Sequence, residues 1–188
     1  NLKGAYQLAA QGLIDGGCDG LLIETAQDLL QAKAAVNGSR TAIANSGKDI
    51  YLMAQVTVEA TGTMLLGSEI GAALTALEPL GIDSIGLNCA TGPTEMSEHL
   101  RQLSQQTEIA ITCMPNAGLP VLGPNGAHYP LSPIDLAKAL KVFIEDYGLN
   151  FIGGCCGTTP EHLKEVVAVA RLEKPQSREL PVEASVAS

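Results

Sequence analysis

The sequence predicts an α/β fold, namely the C-terminal five βα units of a (β/α)8 barrel, with the first three strands expected to lie ahead of residue 1. Three observations carry this expectation. Short, apolar, β-branched runs alternate with longer helical stretches along most of the 188 residues. The strand runs show no clean polar–apolar alternation, as parallel strands buried on both faces should not. Finally, Glu24, Cys89, Asn116 and the pair Cys155-Cys156 all fall at or just beyond predicted strand ends. Barrels build their sites there, from the loops after several different strands. An open, doubly wound sheet uses the same end, but its glycine-rich phosphate loop is absent here. A full barrel takes eight strands and about 250 residues.

In chain order the first helix is predicted over Leu2–Asp15, followed by a strand at Gly20–Glu24 and a helix at Gln27–Ala44. Next come a strand at Ile50–Val58, a helix at Ser68–Leu80, a strand at Ser84–Cys89 and a helix at Thr94–Gln106. The strands at Ile109–Met114 and Asn150–Gly153 are each followed by a helix, at Pro133–Tyr147 and Pro160–Leu172. Those last two helices have explicit start signals. Ser132-Pro133 and Thr159-Pro160 put a hydroxyl at the N-cap and a proline at the first helical position. Residues 1–172 are therefore expected to form a partial barrel domain. Residues 173–188, with Pro175, Pro181 and small side chains, are expected to be a linker or tail.

Composition excludes several classes of function. With 11 basic and 20 acidic residues the formal net charge is −9, unsuited to a surface that tracks phosphates, so no nucleic-acid partner is expected. Aromatics make up 3% of the chain, too few for base-stacking platforms. No apolar run approaches the roughly 20 residues of a membrane span, and the start Asn1-Leu2-Lys3 does not resemble a signal peptide. The missing initiator Met suggests a fragment. Five cysteines, an odd number, favour reduced thiols or metal over disulfides, and a cytoplasmic location.

The cysteines carry the chemistry. Cys155 and Cys156 are adjacent within Gly153-Gly154-Cys155-Cys156-Gly157-Thr158-Thr159-Pro160. Consecutive side chains on an extended strand point to opposite faces, so both thiols can reach one atom only if the backbone bends. Gly153, Gly154 and Gly157 are expected to permit that bend. With Cys89, three thiolates could hold one cation and leave a fourth position open, the arrangement of a catalytic zinc site. The competing readings are a buried Cys89 beside a structural pair, or a vicinal disulfide, whose geometry is strained. Glu24 ends an apolar run and is either a substrate-facing carboxylate or an ordinary wet one. Asn116 is either functional or a turn former. Asn88 can orient a neighbouring ligand or merely satisfy backbone.

Gly86-Leu87-Asn88-Cys89-Ala90, Met114-Pro115-Asn116-Ala117-Gly118 and Gly153–Pro160 resemble the homocysteine-binding domain of zinc-dependent homocysteine methyltransferases. Leu22-Ile23-Glu24-Thr25 and the stretch from Asp28 to Ala35 resemble the same family's strand and helix. The resemblance runs from about Leu2 to Arg171 and is strongest to the cobalamin-dependent members. The family's first strand and glycine-containing substrate loop have no counterpart. The resemblance implies that Cys89, Cys155 and Cys156 hold Zn2+, with the homocysteine thiol as fourth ligand. It further implies that Glu24 binds the substrate ammonium and that Asn116 contacts its amino-acid moiety. The methyl donor would be methylcobalamin, charged from 5-methyltetrahydrofolate on cobalamin- and folate-binding modules of the same polypeptide, and methionine the product. A stand-alone enzyme using S-methylmethionine or betaine is the alternative. A non-catalytic metal-binding or redox module is the alternative of another class. Cys18 and Cys113 are expected to be buried or loop thiols, and His99 and His162 solvated helix residues. His128 belongs to the long loop Gly118–Leu131.

Overall fold

The structure is a computed structural model that describes residues 1–124, 126–178 and 180. It opens with α1 (Leu2–Asp15), β1 (Gly20–Ala26), α2 (Leu29–Ser46) and β2 (Tyr51–Val56). Next are α3 (Ile70–Leu77), a 3-10 turn (Glu78–Leu80), β3 (Ser84–Asn88), α4 (Pro93–Gln106) and β4 (Ala110–Met114). A short hairpin, β5 (Val121–Gly123) and β6 (Gly126–His128), precedes α5 (Pro133–Tyr147), β7 (Phe151–Ile152) and α6 (Pro160–Leu172).

Local chemistry sets most boundaries. Asn1 caps α1 by accepting from the Gly4 N–H at 2.8 Å, and Asp28 caps α2 by accepting from the Gln31 N–H at 2.9 Å. Ser132 caps α5 through the Asp135 N–H at 3.2 Å. The helix expected to reach Leu80 loses its α-helical form at Leu77. Pro79 is the reason, since it lacks the N–H that would bond the Thr75 carbonyl and its ring clashes with that group. The hairpin β5–β6 was not expected, because its three-residue strands are too short to show a period.

Strands β1, β2, β3, β4 and β7 form one sheet in that order, every neighbouring pair parallel. The order never reverses, so there is no switch point of the doubly wound kind. Successive helices pack on one another from α1 to α6 along one face, as right-handed crossovers of constant direction require. That face is the core: Leu21, Ile23, Leu52, Val56, Ile85, Leu87, Ile111 and Cys113 are all buried there.

The other face is concave. Tyr51 on β2 and Phe151 on β7 are separated by two intervening strands, about 14 Å across a flat sheet. Their ring centroids nonetheless lie 5.6 Å apart. Gln55 on β2 likewise reaches over β3 to bond Thr112 on β4, at 2.5 Å. Gly86 makes that crossing possible, for a Cβ there would sit 2.0 Å from the Thr112 carbonyl oxygen. The concave face remains open to solvent on one side. Leu22, Tyr51 and Phe151 are 37%, 37% and 38% exposed, and β1 alternates buried and open positions instead of being covered on both faces.

Past α6 the chain does not leave the body at once. Gln176 N–H bonds the Ile144 carbonyl at 3.1 Å. Arg178 donates to the carbonyls of Thr107, Glu108 and Ile109 and, at 3.5 Å, to Asn150 Oδ1, all just before β4 and β7. Residues 173–178 are thus docked at the amino end of the sheet, while 181–188 of the expected tail lie outside the described residues. Among the described residues no helix is long and apolar enough to cross a membrane.

Candidate metal centre

The candidate site lies at the carboxyl end of the sheet, where β3 and β7 release their cysteines toward one point. After Asn88 the chain turns through Cys89 and Ala90, both left-handed at φ 62° and 59°. A non-glycine residue held there stores about 1–3 kcal/mol of strain. Surrounding bonds hold the turn: Cys89 N–H to Met114 O at 3.2 Å, Thr91 N–H to Cys89 O at 2.7 Å, and Asn116 N–H to Thr91 O at 3.0 Å. The pair after β7 is fixed in a similar way. Cys155 N–H bonds Pro115 O at 2.8 Å and Ala117 N–H bonds Cys156 O at 2.9 Å, while Cys156 N–H donates to Asn116 Oδ1 at 3.1 Å.

The three sulfurs lie within 4.8 Å of one another, and Cys89 Sγ is 3.6 Å from Cys156 Sγ. That is far longer than the roughly 2.05 Å of a disulfide, and all five cysteines are free. It is close to the distance of about 3.8 Å between two sulfurs bound tetrahedrally to one zinc at about 2.3 Å each. The donor set therefore fits a thiophilic cation. Without one, ionising Cys89 is unfavourable. Burial first, then the neighbouring Cys156 and Cys155 thiols, push Cys89 up to about 12, against a lowering bond from the Ala90 backbone. A bound dication reverses that balance and deprotonates coordinating thiols.

Of the three glycines around the pair, only Gly157 uses the left-handed region, at φ 78°. Gly153 and Gly154 do not bend the chain in that way; they admit close neighbours. A Cβ at Gly154 would come within 2.3 Å of Thr158 Cγ2, and one at Gly153 within 3.2 Å of Met114 Cγ. A Cβ at Gly157 would collide with the ring of Tyr129, 2.2 Å from its Cγ.

Asn88 is the hub of the polar surroundings. Buried at the end of β3, it accepts the Thr25 N–H at 2.8 Å and donates to Thr25 Oγ1 at 2.8 Å. The same amide nitrogen lies 3.5 Å from Glu24 Oε2 and 3.8 Å from Cys155 Sγ. Thr25 is the third left-handed non-glycine residue, at φ 52°. Glu24 lies inside β1 instead of ending it, exposed on the concave side next to Asn88. Asn116 is buried and spends its side-chain oxygen on Cys156. Cys18 and Cys113 stand apart from the cluster; Cys113 is fully buried, 3.7 Å from Met96 Sδ, and burial pushes its thiol up.

The profile of the homocysteine S-methyltransferase family matches residues 1–170. The chain belongs to that family. It is 62% identical to the methionine synthase of Mycobacterium tuberculosis over all 188 of its residues, which span 16% of that protein. It is 63% identical to the methionine synthase of Mycobacterium leprae over 171 residues, 90% of this chain and 14% of the relative. Among solved structures, the homocysteine methyltransferase MmuM of Escherichia coli matches in its apo form with a TM-score of 0.66 at 20% identity. That match covers 89% of this chain and 57% of MmuM. The metallated form of MmuM gives a TM-score of 0.67, covering 88% of this chain and 51% of the other. At that identity the likeness is one of fold.

Three residues around the cysteines, His162, Thr25 and Tyr129, were missed by sequence reasoning, and His99 was misjudged elsewhere. His162 was expected to be solvated, yet it is buried. Its Nδ1 accepts the Thr159 N–H at 3.1 Å and its Nε2 bonds the Leu131 carbonyl at 2.9 Å. The signal was available, because His162 occupies the third helical position after Thr159, where a side chain commonly returns to the N-cap N–H. His99 is half-buried rather than fully solvated, and burial lowers its pKa. Thr25 and Tyr129 gave no local signal. Burial, followed by the charge of the neighbouring Cys156, raises the Tyr129 phenol.

Proposed function

We propose that this chain supplies the metal-binding part of a zinc-dependent homocysteine methyltransferase, with Cys89, Cys155 and Cys156 as the ligands. The observation that carries the reading is the convergence of three free sulfurs from two strands, one pair 3.6 Å apart. Zinc bound there would remove the proton of a fourth, substrate thiol and leave its sulfur nucleophilic at neutral pH. The chain's own residues orient that substrate. Glu24, open on the concave side, faces the homocysteine ammonium. Asn116 braces the Cys156 backbone and contributes to the amino-acid pocket. Asn88 fixes Glu24 and Thr25 relative to Cys155.

The curved, one-way-wound sheet supports a (β/α)8 barrel as the complete domain. In the described sheet β1 and β7 are edge strands. A groove of about 250 Å3 runs along β1, lined by residues including Leu13, Leu22 and Glu24. Further strands of the barrel would cover Leu22, Tyr51 and Phe151. The domain proper is taken as residues 1–172, extended at its end by the docked segment to Arg178. Identity to two mycobacterial methionine synthases, of which the chain spans 14–16%, supports methylcobalamin as the donor, carried with the folate site on other modules of a cytoplasmic enzyme.

The deciding experiment is X-ray absorption at the zinc edge on the intact protein, with and without homocysteine. Three sulfurs are expected, rising to four with substrate. A metal with four sulfurs in both states would instead favour a closed structural site.

A further inference from the structure

Thr25 enters the functional reading above only through its bonds to Asn88, yet β1 departs from a regular strand at this residue. Gly20, Leu21, Leu22 and Ile23 pair in even register with Tyr51, Leu52, Met53 and Ala54 of β2. The next pair is Ala26 with Val56, so Glu24 and Thr25 together stand against Gln55 alone. This is a β-bulge. Strict alternation would turn Thr25 toward the helices with Leu21 and Ile23, and Ala26 toward the concave side. Instead Ile23 and Ala26 are buried in the core, while Glu24 and Thr25 are both exposed. The extra residue puts two adjacent polar side chains on one face.

The bulge is held in a strained form. Thr25 has φ 52°, a left-handed conformation that is a genuine outlier for a β-branched residue. Such strain persists only where the surroundings over-determine it. Here the Asn88 amide does so, reaching from β3 over β2 to β1. The Thr25 N–H can only donate, so the amide oxygen faces it, at 2.8 Å. The amide nitrogen is then left to donate to Thr25 Oγ1, also at 2.8 Å. Thr25 is thus gripped by backbone and side chain at once. The same nitrogen lies 3.5 Å from Glu24 Oε2 and 3.8 Å from Cys155 Sγ, so one buried amide links the bulge, the carboxylate and the sulfur cluster.

We propose that Thr25 is a positioning residue for Glu24: the Asn88 clamp on its N–H and hydroxyl holds the bulge, and the bulge holds the Glu24 carboxylate on the concave side beside the cysteines. This rests on the reading of Glu24 as the acceptor for the homocysteine ammonium. Thr25 acts through Glu24 and need touch no substrate atom. Glu24 stands on an edge strand of the described sheet, and a carboxylate free to wander there would have to be ordered when substrate binds. Holding it in place beforehand removes that cost.

The test is calorimetry on the intact, zinc-loaded protein with two thiols, homocysteine and 4-mercaptobutanoate, which lacks the amino group. Thr25→Val keeps the branched shape and removes the hydroxyl. Thr25→Gly also removes it but adopts the left-handed turn without strain, so a loss shared by both variants is not a folding defect. Each is expected to bind homocysteine about 10-fold more weakly, the lower end of what a bond to a charged group supplies. Each is expected to bind 4-mercaptobutanoate as the unsubstituted protein does. Thr25→Ser, which retains the hydroxyl, is expected to match the unsubstituted protein with both thiols. In the Glu24→Gln background, Thr25→Val is expected to bring no further loss, because residues acting as one unit are not additive. Undiminished homocysteine affinity in Thr25→Val or Thr25→Gly would overturn the proposal and leave the Glu24 reading standing. So would a loss as large in Thr25→Ser, an equal loss for the two thiols, or a full additional loss in the double variant. Glu24→Gln binding homocysteine as tightly as the unsubstituted protein would overturn the Glu24 reading, and this proposal with it.

Discussion

Substitutions of single residues separate ligands from bystanders at this site. Cys89→Ala, Cys155→Ala and Cys156→Ala are each expected to abolish methyl transfer and weaken zinc retention, measured as bound metal after dialysis. Cys18→Ala and Cys113→Ala are expected to retain one zinc per chain, since neither sulfur approaches the cluster. Glu24→Gln is expected to keep its zinc and lose about 10- to 150-fold in homocysteine affinity by calorimetry, the equivalent of a charge-assisted bond of about 1.5–3 kcal/mol. Unchanged homocysteine affinity would return Glu24 to the role of a wet carboxylate. The cysteines were legible in the sequence because thiols at strand ends have few structural uses. Thr25 and Tyr129 were not, because their positions follow from a left-handed turn and from a loop folding back. Neither event leaves a periodic trace in the amino acids concerned.

Helices were the most legible elements, with Pro133–Tyr147 and Pro160–Leu172 found where their caps and prolines put them and Leu2–Asp15 found at its expected bounds. The strands were located but misjudged in character. β1 was read as buried on both faces from its composition, whereas Leu22 and Glu24 face the open concave side. Hydropathy alone does not reveal which neighbour covers a strand. Packing within the sheet can be tested with two glycines. Gly86→Ala would set a methyl 2.0 Å from a backbone carbonyl oxygen, a clash no rotamer relieves. It is expected to cost at least the upper end of the usual 1–3 kcal/mol for overpacking, about 3 kcal/mol, read from the denaturation midpoint. Gly12→Ala, on α1 with nothing within 4 Å of the added Cβ, is expected to stabilise by about 1 kcal/mol. If the two substitutions had equal effects, the close passage of Gln55 to Thr112 over β3 would be wrong.

For the molecule as a whole, the open concave face and the two edge strands imply low cooperativity when the 188 residues stand alone. Thermal unfolding of this chain is expected to be broad without metal and to shift upward with zinc. A ligand at about 1,000 times its dissociation constant adds about 4 kcal/mol to the native state. A sharp transition, unmoved by zinc or chelator, would show that the sheet needs neither metal nor further strands. Arg178 adds a geometric consequence. It fastens the chain to the amino ends of β4 and β7, whereas the thiols open at the carboxyl ends. Anything joined beyond it is tethered on the far side of the sheet from the chemistry. To reach the sulfurs, such a module must pass the height of the strands, about 17–20 Å, and then the rim of loops. Its access is then governed by tether length through an effective concentration. Under the proposed function, a module held in this way would arrive, react and depart, and shortening its tether is expected to slow methyl transfer without touching a single residue of the candidate metal centre.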